Sequence, residues 1–291
     1  MKHLILFLLF LYLISWIPGC SVSVPSDIAV TTLPVYEFTQ ALCEGTGLIV
    51  TRLVTESVSC LHDYSLQTRQ LKTIQGAKAL VISGAGLEDF LEDALNGAHN
   101  VIDASQGLSL MEGHHHDHGD GHGHVHEEDP HIWLSPENAA HMAEAICHGL
   151  EEVFPEHRET FRQNLPGLLE QLEALRIYGE DKLQNLSCRE LVTFHDGFSY
   201  LAESFHLTIL EAVEEEAGAE ASARQLIHLC GLVQEHQLPA LFTERSGSDA
   251  SAKIIAAETG VPCFVLDMAM SGDSYFDAMY HNIDTLWEAL K

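Results

Sequence analysis

Histidine is the residue type in this chain whose number and spacing point most directly to chemistry. Of the 19 His residues, an unusual share lies between Gly113 and His126, at His114, His115, His116, His118, His122, His124 and His126. Neutral imidazole suits Zn²⁺, Cu²⁺ or Ni²⁺, and the intervening glycines let several rings approach one ion. The segment has no hydrophobic period, so we expect a loop that collects metal ions loosely.

Four further side chains could form a site of fixed geometry. His131 lies just before a helix start, and His62 lies in a loop after an apolar run. His195 and Asp267 each end an apolar run. α/β sheets carry their ligand-binding groups at the carboxyl ends of parallel strands, which is where His195 and Asp267 would lie. These four residues are our candidate ligands.

The elements that must position these residues alternate between apolar runs and amphipathic stretches. The runs predict strands at Ile28–Leu33, Leu48–Val54, Ala79–Ser83, Asn100–Asp103, Leu191–His195, Thr208–Val213, Ala240–Thr243 and Cys263–Asp267. Continuous apolar strands separated by helices indicate α/β lobes, each with a mostly parallel sheet flanked by helices.

A long helical region separates the two sets of strands. Ser135 and Pro136 provide a side-chain cap and a proline at the first helical position. Pro166, followed by Gly167, predicts a kink or a break. We therefore predict an N-terminal lobe over 28–135, which carries the His-rich loop 113–126, then helices over 136–188 and a C-terminal lobe over 189–291, with a cleft between the lobes.

The N-terminus predicts export. Residues 1–19 combine a short basic start with an apolar stretch too short to span a bilayer comfortably, which is typical of a signal peptide. Cys20 follows Gly19, as in bacterial lipoproteins, so we predict lipidation at Cys20 and a tether over 20–27 that holds the protein on the outer face of the cell membrane. A plain secretory signal with an incidental Cys is the alternative.

Composition narrows the possible partners. The formal charge of −29 repels nucleic acid, so we expect no nucleic-acid partner. Six cysteines follow Cys20, with no CxxC among them, and six cysteines allow 15 pairings between which the sequence does not choose. They are Cys43, Cys60, Cys147, Cys188, Cys230 and Cys263.

Several segments, in order along nearly the whole chain, resemble the metal-specific substrate-binding proteins of ABC importers, in particular the zinc-uptake members. The segments are Leu33–Phe38, His62–Tyr64, Ser83–Glu88, Asp129–Pro136, Thr193–Tyr200, Glu244–Ser246, Glu258–Val261 and Asp273–Asn282. The resemblance implies two α/β lobes joined by a long helix, with the metal bound between them.

The same resemblance implies a ligand set of His62, His131, His195 and Asp267 for one Zn(II) ion. Family members selective for manganese tend to carry Glu at the position of His195, so His there favours zinc. Three imidazoles and one carboxylate also suit tetrahedral zinc, whereas manganese prefers more oxygen. The implied partners are a membrane permease and its cytoplasmic ATPase, and we expect a monomer.

Other functions are weighed against this prediction. A protein for manganese or another divalent metal, or a surface adhesin of the same family, is the main alternative. An exported zinc hydrolase is disfavoured, because Asp267 would fill the position that a catalytic water needs. The sequence also contains no HExxH, no complete HxHxDH and no GxSxG, so we predict that the chain is not an enzyme.

Overall fold

A computed structural model of the protein describes residues 26–56, 61, 64–95, 97–112, 128–213 and 221–291. The strands in these ranges are β1 Ile28–Val30, β2 Val50–Arg52, β3 Ala79–Ile82, β4 Val101–Asp103, β5 Glu190–Thr193, β6 Thr208–Ala212, β7 Leu241–Glu244 and β8 Cys263–Leu266. The α-helices are α1 Leu33–Leu42, α2 Thr68–Gly76, α3 Glu92–Leu95, α4 Pro136–Val153, α5 Arg158–Leu183, α6 Ser199–Ser204, α7 Ala223–Glu235, α8 Ala250–Thr259 and α9 Tyr275–Leu290. Short 3-10 turns occur at Asp89–Leu91, Ile132–Leu134 and Pro155–His157.

The strands form two sheets, one in each half of the chain. Their orders are β2-β1-β3-β4 and β6-β5-β7-β8, and every pairing is parallel. All residues of β1, β3 and β7 are buried, as expected for strands with helices on both faces. The predicted fold class, two parallel-sheet α/β lobes joined by a long helix, is confirmed.

The first long helix between the sheets begins where the sequence predicted. The Ser135 hydroxyl accepts a hydrogen bond from the backbone N–H of Asn138, and Pro136 is the first residue of α4. Proline at this position costs nothing, because the first N–H groups of a helix have no partner within it.

A kink or a break was predicted near Pro166, and the break does not occur, since α5 runs from Arg158 to Leu183 with Pro166 inside it. Two features hold the helix across this point. Its apolar face is buried through Phe161, Leu168, Leu172 and Leu175. In addition, the Asn164 side chain donates to the carbonyls of Leu42 and Glu44, both at 2.9 Å, which ties α5 to the end of α1.

The two lobes share one continuous apolar core that also includes α4 and α5. Buried hydrogen bonds cross between the lobes as well. The indole N–H of Trp133 donates to the Met268 carbonyl at 2.7 Å, and the Tyr275 hydroxyl donates to the Trp133 carbonyl at 2.8 Å. The position of the N-terminal-lobe residues around Trp133 is therefore fixed relative to the loop after β8.

Two further features of the described residues concern the cysteines and the membrane. Cys43, Cys147, Cys188, Cys230 and Cys263 are free thiols, and Cys43 and Cys147 are buried. None of the helices in the described ranges combines the length and apolar character that crossing a bilayer requires.

Candidate metal centre

His131 lies in the N-terminal lobe, at the start of the 3-10 turn Ile132–Leu134. Its ring Nδ1 lies 2.8 Å from Asp129 Oδ1, and its backbone N–H donates to the same oxygen at 2.9 Å. Both side chains are buried. Burial raises the pKa of Asp129, but the hydrogen bonds and charge of His131 outweigh it, so the net pKa is lowered.

An ionised carboxylate can only accept hydrogen bonds, so Nδ1 of His131 must be the donor in this contact. When the ring is neutral, Nε2 then carries the free lone pair, which is the arrangement that metal-binding histidines commonly have. Asp129 therefore both orients His131 and prepares its outer nitrogen to bind a metal ion.

His195 lies in the C-terminal lobe, two residues beyond the end of β5. Its ring is wedged against Gly197, where a Cβ would lie 2.7 Å from His195 Cδ2 and 2.6 Å from Met268 Cε. On another side, its Nδ1 lies 3.6 Å from Oε2 of the buried Glu244. The ring is thus confined by its own loop and by the next strand of the sheet.

The two imidazoles meet between the lobes. Their ring centres are 5.5 Å apart, and the rings are nearly perpendicular, with an interplanar angle of 82°. Two imidazoles bound to one tetrahedral ion at Zn–N distances of about 2.0–2.1 Å would have ring centres roughly 5 Å apart. The pair His131 and His195 therefore already has the spacing that a shared zinc ion requires.

Asp267 follows β8 at the same edge of the C-terminal sheet. Its Oδ2 accepts a hydrogen bond from Arg245 Nε at 2.6 Å, and its Oδ1 accepts one from the backbone N–H of Ala269 at 2.8 Å. The Asn282 side chain accepts a hydrogen bond from the backbone N–H of Asp267 and donates one to its backbone carbonyl. With Glu244 and Arg245, Asp267 lines a cavity of about 430 Å³.

Other predicted site residues lie outside the described residues, namely His62, Cys20 and the whole His-rich loop from His114 to His126. In the part of the chain that the structure describes, no three His, Cys, Asp or Glu side chains are close enough together to hold a metal ion. The described ranges thus bring His131 and His195 together and place Asp267 after β8, in an ion pair with Arg245. The four-ligand centre stays a prediction.

The residues on either side of the His-rich loop pair with each other, just before His131 in the chain. Glu112 and Glu128 form an antiparallel bridge, and the Asp129 N–H donates to the Met111 carbonyl at 2.9 Å. From the C-terminal lobe, the Tyr200 hydroxyl accepts from the Met111 N–H at 2.9 Å and donates to the Asp129 carbonyl at 3.2 Å. The residues that flank the His-rich loop are therefore joined to each other and to Asp129, the residue that orients His131.

Sequence reasoning missed three residues that contact the candidate ligands, namely Asp129, Glu244 and Arg245. Asp129 lies two positions before His131, a spacing at which a carboxylate can reach back to the ring. Glu244 ends β7 and Arg245 follows it, just as His195 follows β5 and Asp267 follows β8. The strand-end rule that singled out His195 and Asp267 could have found them too.

Comparisons with known proteins agree along most of the chain. A family model described as "ZnuA: Zinc-uptake complex component A periplasmic" matches residues 28–289. A Treponema pallidum protein, described as metal-binding without naming the metal, is 30% identical over 290 residues, which cover 93% of this chain and 92% of that protein. The zinc-binding lipoprotein AdcA of Streptococcus pneumoniae serotype 4 is 29% identical over 286 residues. This chain spans only 55% of that AdcA, although the match covers 89% of this chain.

Solved structures give the same result. A crystal structure of ZnuA superimposes with a TM-score of 0.77 at 27% identity and covers 91% of this chain and all of that one. The structure of Zn(II)-bound AdcA from Streptococcus pneumoniae superimposes with a TM-score of 0.76 at 28% identity, over 90% of this chain and 57% of that one.

Proposed function

We propose, from the fact that the chain belongs to the ZnuA family of periplasmic zinc-uptake components, that it captures Zn(II) in the cleft between its lobes and delivers it to a membrane permease. Family membership confirms the resemblance predicted from the sequence. The relatives are named for zinc or metal binding and not for catalysis, so the prediction of a binding protein rather than an enzyme is also confirmed.

The observation that carries the proposal is the approach of His131 and His195 from opposite lobes. Their ring centres lie 5.5 Å apart, and each ring has a carboxylate beside Nδ1, Asp129 for His131 and Glu244 for His195. A carboxylate on the inner nitrogen of a ligating histidine raises the basicity of the ring and fixes its direction. Two imidazoles prepared in this way form half of a tetrahedral zinc site.

His62 and Asp267 complete the proposed ligand set. Asp267 lies at the same sheet edge as His195 and contributes one negative charge, which offsets part of the charge of Zn²⁺ in the cleft. Zinc is the cargo, so the site must release it as well as hold it. The His-rich loop, whose flanking residues Glu112 and Glu128 pair with each other, would gather further ions for the site.

The remaining parts of the proposal concern the surroundings of the protein. A lipid on Cys20 would hold the chain at the outer face of the cell membrane, where an ABC permease with its cytoplasmic ATPase accepts the metal. We propose that the protein acts as a monomer. The adhesin alternative stays a prediction, whereas the manganese alternative is addressed directly by the experiment below.

The experiment is a titration of the chelator-stripped chain with Zn(II) by calorimetry, followed by competition between zinc and manganese. We expect one tight zinc site, several weaker ones that deletion of residues 113–126 removes, and displacement of manganese by zinc. His195→Ala should weaken the tight site at least 100-fold, because a ligand is lost. His148→Ala, which removes an exposed imidazole on α4, is the matched control and should leave it unchanged.

Two results would refute the proposal. Unchanged tight binding in His195→Ala would exclude this residue as a ligand. A tight site that prefers manganese to zinc in direct competition would show that the cargo is another metal, which the unspecified metal of the Treponema pallidum relative leaves open.

A further inference from the structure

Two consecutive residues at the end of β7 contact the two candidate ligands of the C-terminal lobe. Glu244 Oε2 lies 3.6 Å from His195 Nδ1, within ion-pair range but longer than a hydrogen bond. Arg245 Nε donates to Asp267 Oδ2 at 2.6 Å. Since β7 lies between β5 and β8 in the sheet, one strand end reaches the ligand on each side of it.

The strand register explains why each residue meets its own ligand. Thr193 of β5 is paired with Phe242 of β7, so two residues further along both strands His195 is level with Glu244. Glu244 is paired with Leu266 of β8, so one residue further along Arg245 is level with Asp267. The backbone N–H of Arg245 also donates to the Leu266 carbonyl at 2.9 Å, which extends this pairing beyond the strand.

Glu244 is held in place on its other sides. Its side chain is only 1% exposed. A Cβ at Gly247 would lie 2.6 Å from Glu244 Cγ and 3.0 Å from Glu244 Oε1, so the carboxylate is packed directly against that loop. A buried carboxylate is costly unless charges or hydrogen-bond donors face it. An imidazole N–H that becomes more acidic when a metal binds the opposite nitrogen is such a donor.

We propose that Glu244 and Arg245 are positioning residues that orient His195 and Asp267 for the metal without binding it themselves. When zinc is bound, Glu244 closes its 3.6 Å contact with His195 and accepts a hydrogen bond from Nδ1–H, which leaves Nε2 for zinc. Arg245 holds one carboxylate oxygen of Asp267 while Ala269 N–H holds the other, so the orientation of the carboxylate is fixed. The inference rests on the proposed function, in which His195 and Asp267 are zinc ligands.

The test compares Glu244→Gln and Arg245→Ala with the unmodified chain. Zinc affinity is measured by competition with a chromophoric chelator, and Co(II) is bound in place of zinc so that its visible absorption bands report coordination geometry. We expect Glu244→Gln to lower zinc affinity about 10–100-fold and Arg245→Ala about 10-fold, both with shifted cobalt bands. Arg245→Lys keeps the charge but not the planar group, so it should recover only part of the loss.

Matched controls separate positioning from general damage. Glu151→Gln removes a buried, ion-paired carboxylate on α4, and Arg176→Ala removes an ion-paired guanidinium on α5. Neither should change zinc affinity or the cobalt spectrum. Thermal unfolding of each metal-free variant shows whether it is folded. If Glu244→Gln does not fold, the test rests on the variants of Arg245, whose side chain is half-exposed.

Three outcomes would overturn the inference. Wild-type affinity and cobalt bands in both variants would mean that the ligands need no such support. Tighter zinc binding by Arg245→Ala would mean that the guanidinium acts only by repelling the cation. A loss in Glu244→Gln equal to that in His195→Ala, with wild-type affinity in Asp267→Asn, would make Glu244 a ligand. If instead the unmodified chain lacks a tight zinc site, the proposed function itself fails.

Discussion

At the scale of single residues, the candidate centre depends on small residues as much as on the ligands. Gly197 illustrates this, because its φ is ordinary and the reason for glycine is space alone. A Cβ there would lie 2.6 Å from Met268 Cε and 2.7 Å from the His195 ring, which is closer than non-bonded atoms approach. The missing side chain thus lets the His195 ring lie flat against its own loop.

We predict that Gly197→Ala lowers zinc affinity at least 10-fold and destabilises the metal-free fold by about 1–3 kcal/mol, the usual range for an overpacked site. The ring must move away from the added methyl group, and Met268 must move with it. The measurements are zinc competition and chemical unfolding. Gly231→Ala in α7 is the control, since nothing lies within 4 Å of its added Cβ. The free energy of unfolding of that variant should rise by about 0.5–1 kcal/mol, and it should bind zinc normally. Normal zinc binding by Gly197→Ala would contradict the prediction.

At the scale of elements, the sequence predicted most of the fold because the inner strands β1, β3 and β7 are wholly buried. Short continuous apolar runs such as Ala79–Ser83 are consistent with strands of a parallel sheet, and their length separates them from helices. It did not predict that α5 continues through Pro166, because burial against α1, α4 and α9 outweighs the local signal. Nor could it predict the contact of Glu244 with His195, which depends on the register between strands 49 residues apart in the chain.

The carboxyl edge of the N-terminal sheet is organised by one buried carboxylate. Glu88 accepts hydrogen bonds from the Thr31 hydroxyl and from the Ser83 backbone N–H, both at 2.7 Å, and from the Gly84 N–H at 3.0 Å. It thereby joins the ends of β1 and β3. Burial raises its pKa to about 7 despite these hydrogen bonds, which lower it.

This raised pKa predicts how stability depends on pH. Between about pH 4.5 and 7 the folded chain holds a proton on Glu88 that the unfolded chain releases, so this contribution is complete below pH 4.5 and is lost as the pH rises through 7. Relative to Glu88→Gln, the free energy of unfolding of the metal-free wild type should therefore fall by about 3 kcal/mol between pH 4.5 and pH 8. Urea unfolding of both proteins at several pH values measures the difference, and a constant difference across this range would contradict the shift.

At the scale of the whole molecule, the two lobes form a single packed body. The apolar core is continuous from β1 to α9, and Trp133, Tyr275 and Met268 link the lobes by buried hydrogen bonds. The backbone N–H of Leu33 also donates to the Met270 carbonyl at 3.0 Å. Separating the lobes would expose this core, so zinc enters a site whose two halves are already held close together.

We therefore predict that the metal-free protein unfolds in one cooperative transition and that zinc raises the midpoint of that same transition. With free zinc at about 1,000 times Kd, a ligand that binds only the folded state adds about 4 kcal/mol. For a chain of this size the midpoint should rise on the order of 10 °C. Differential scanning calorimetry with and without zinc provides the measurement, and His195→Ala is the control, with one transition that zinc moves much less. An ion shared by His131 and His195 must stabilise both lobes together. Two separate transitions, of which zinc shifts only one, would therefore show that the lobes unfold independently and that one lobe alone holds the ion.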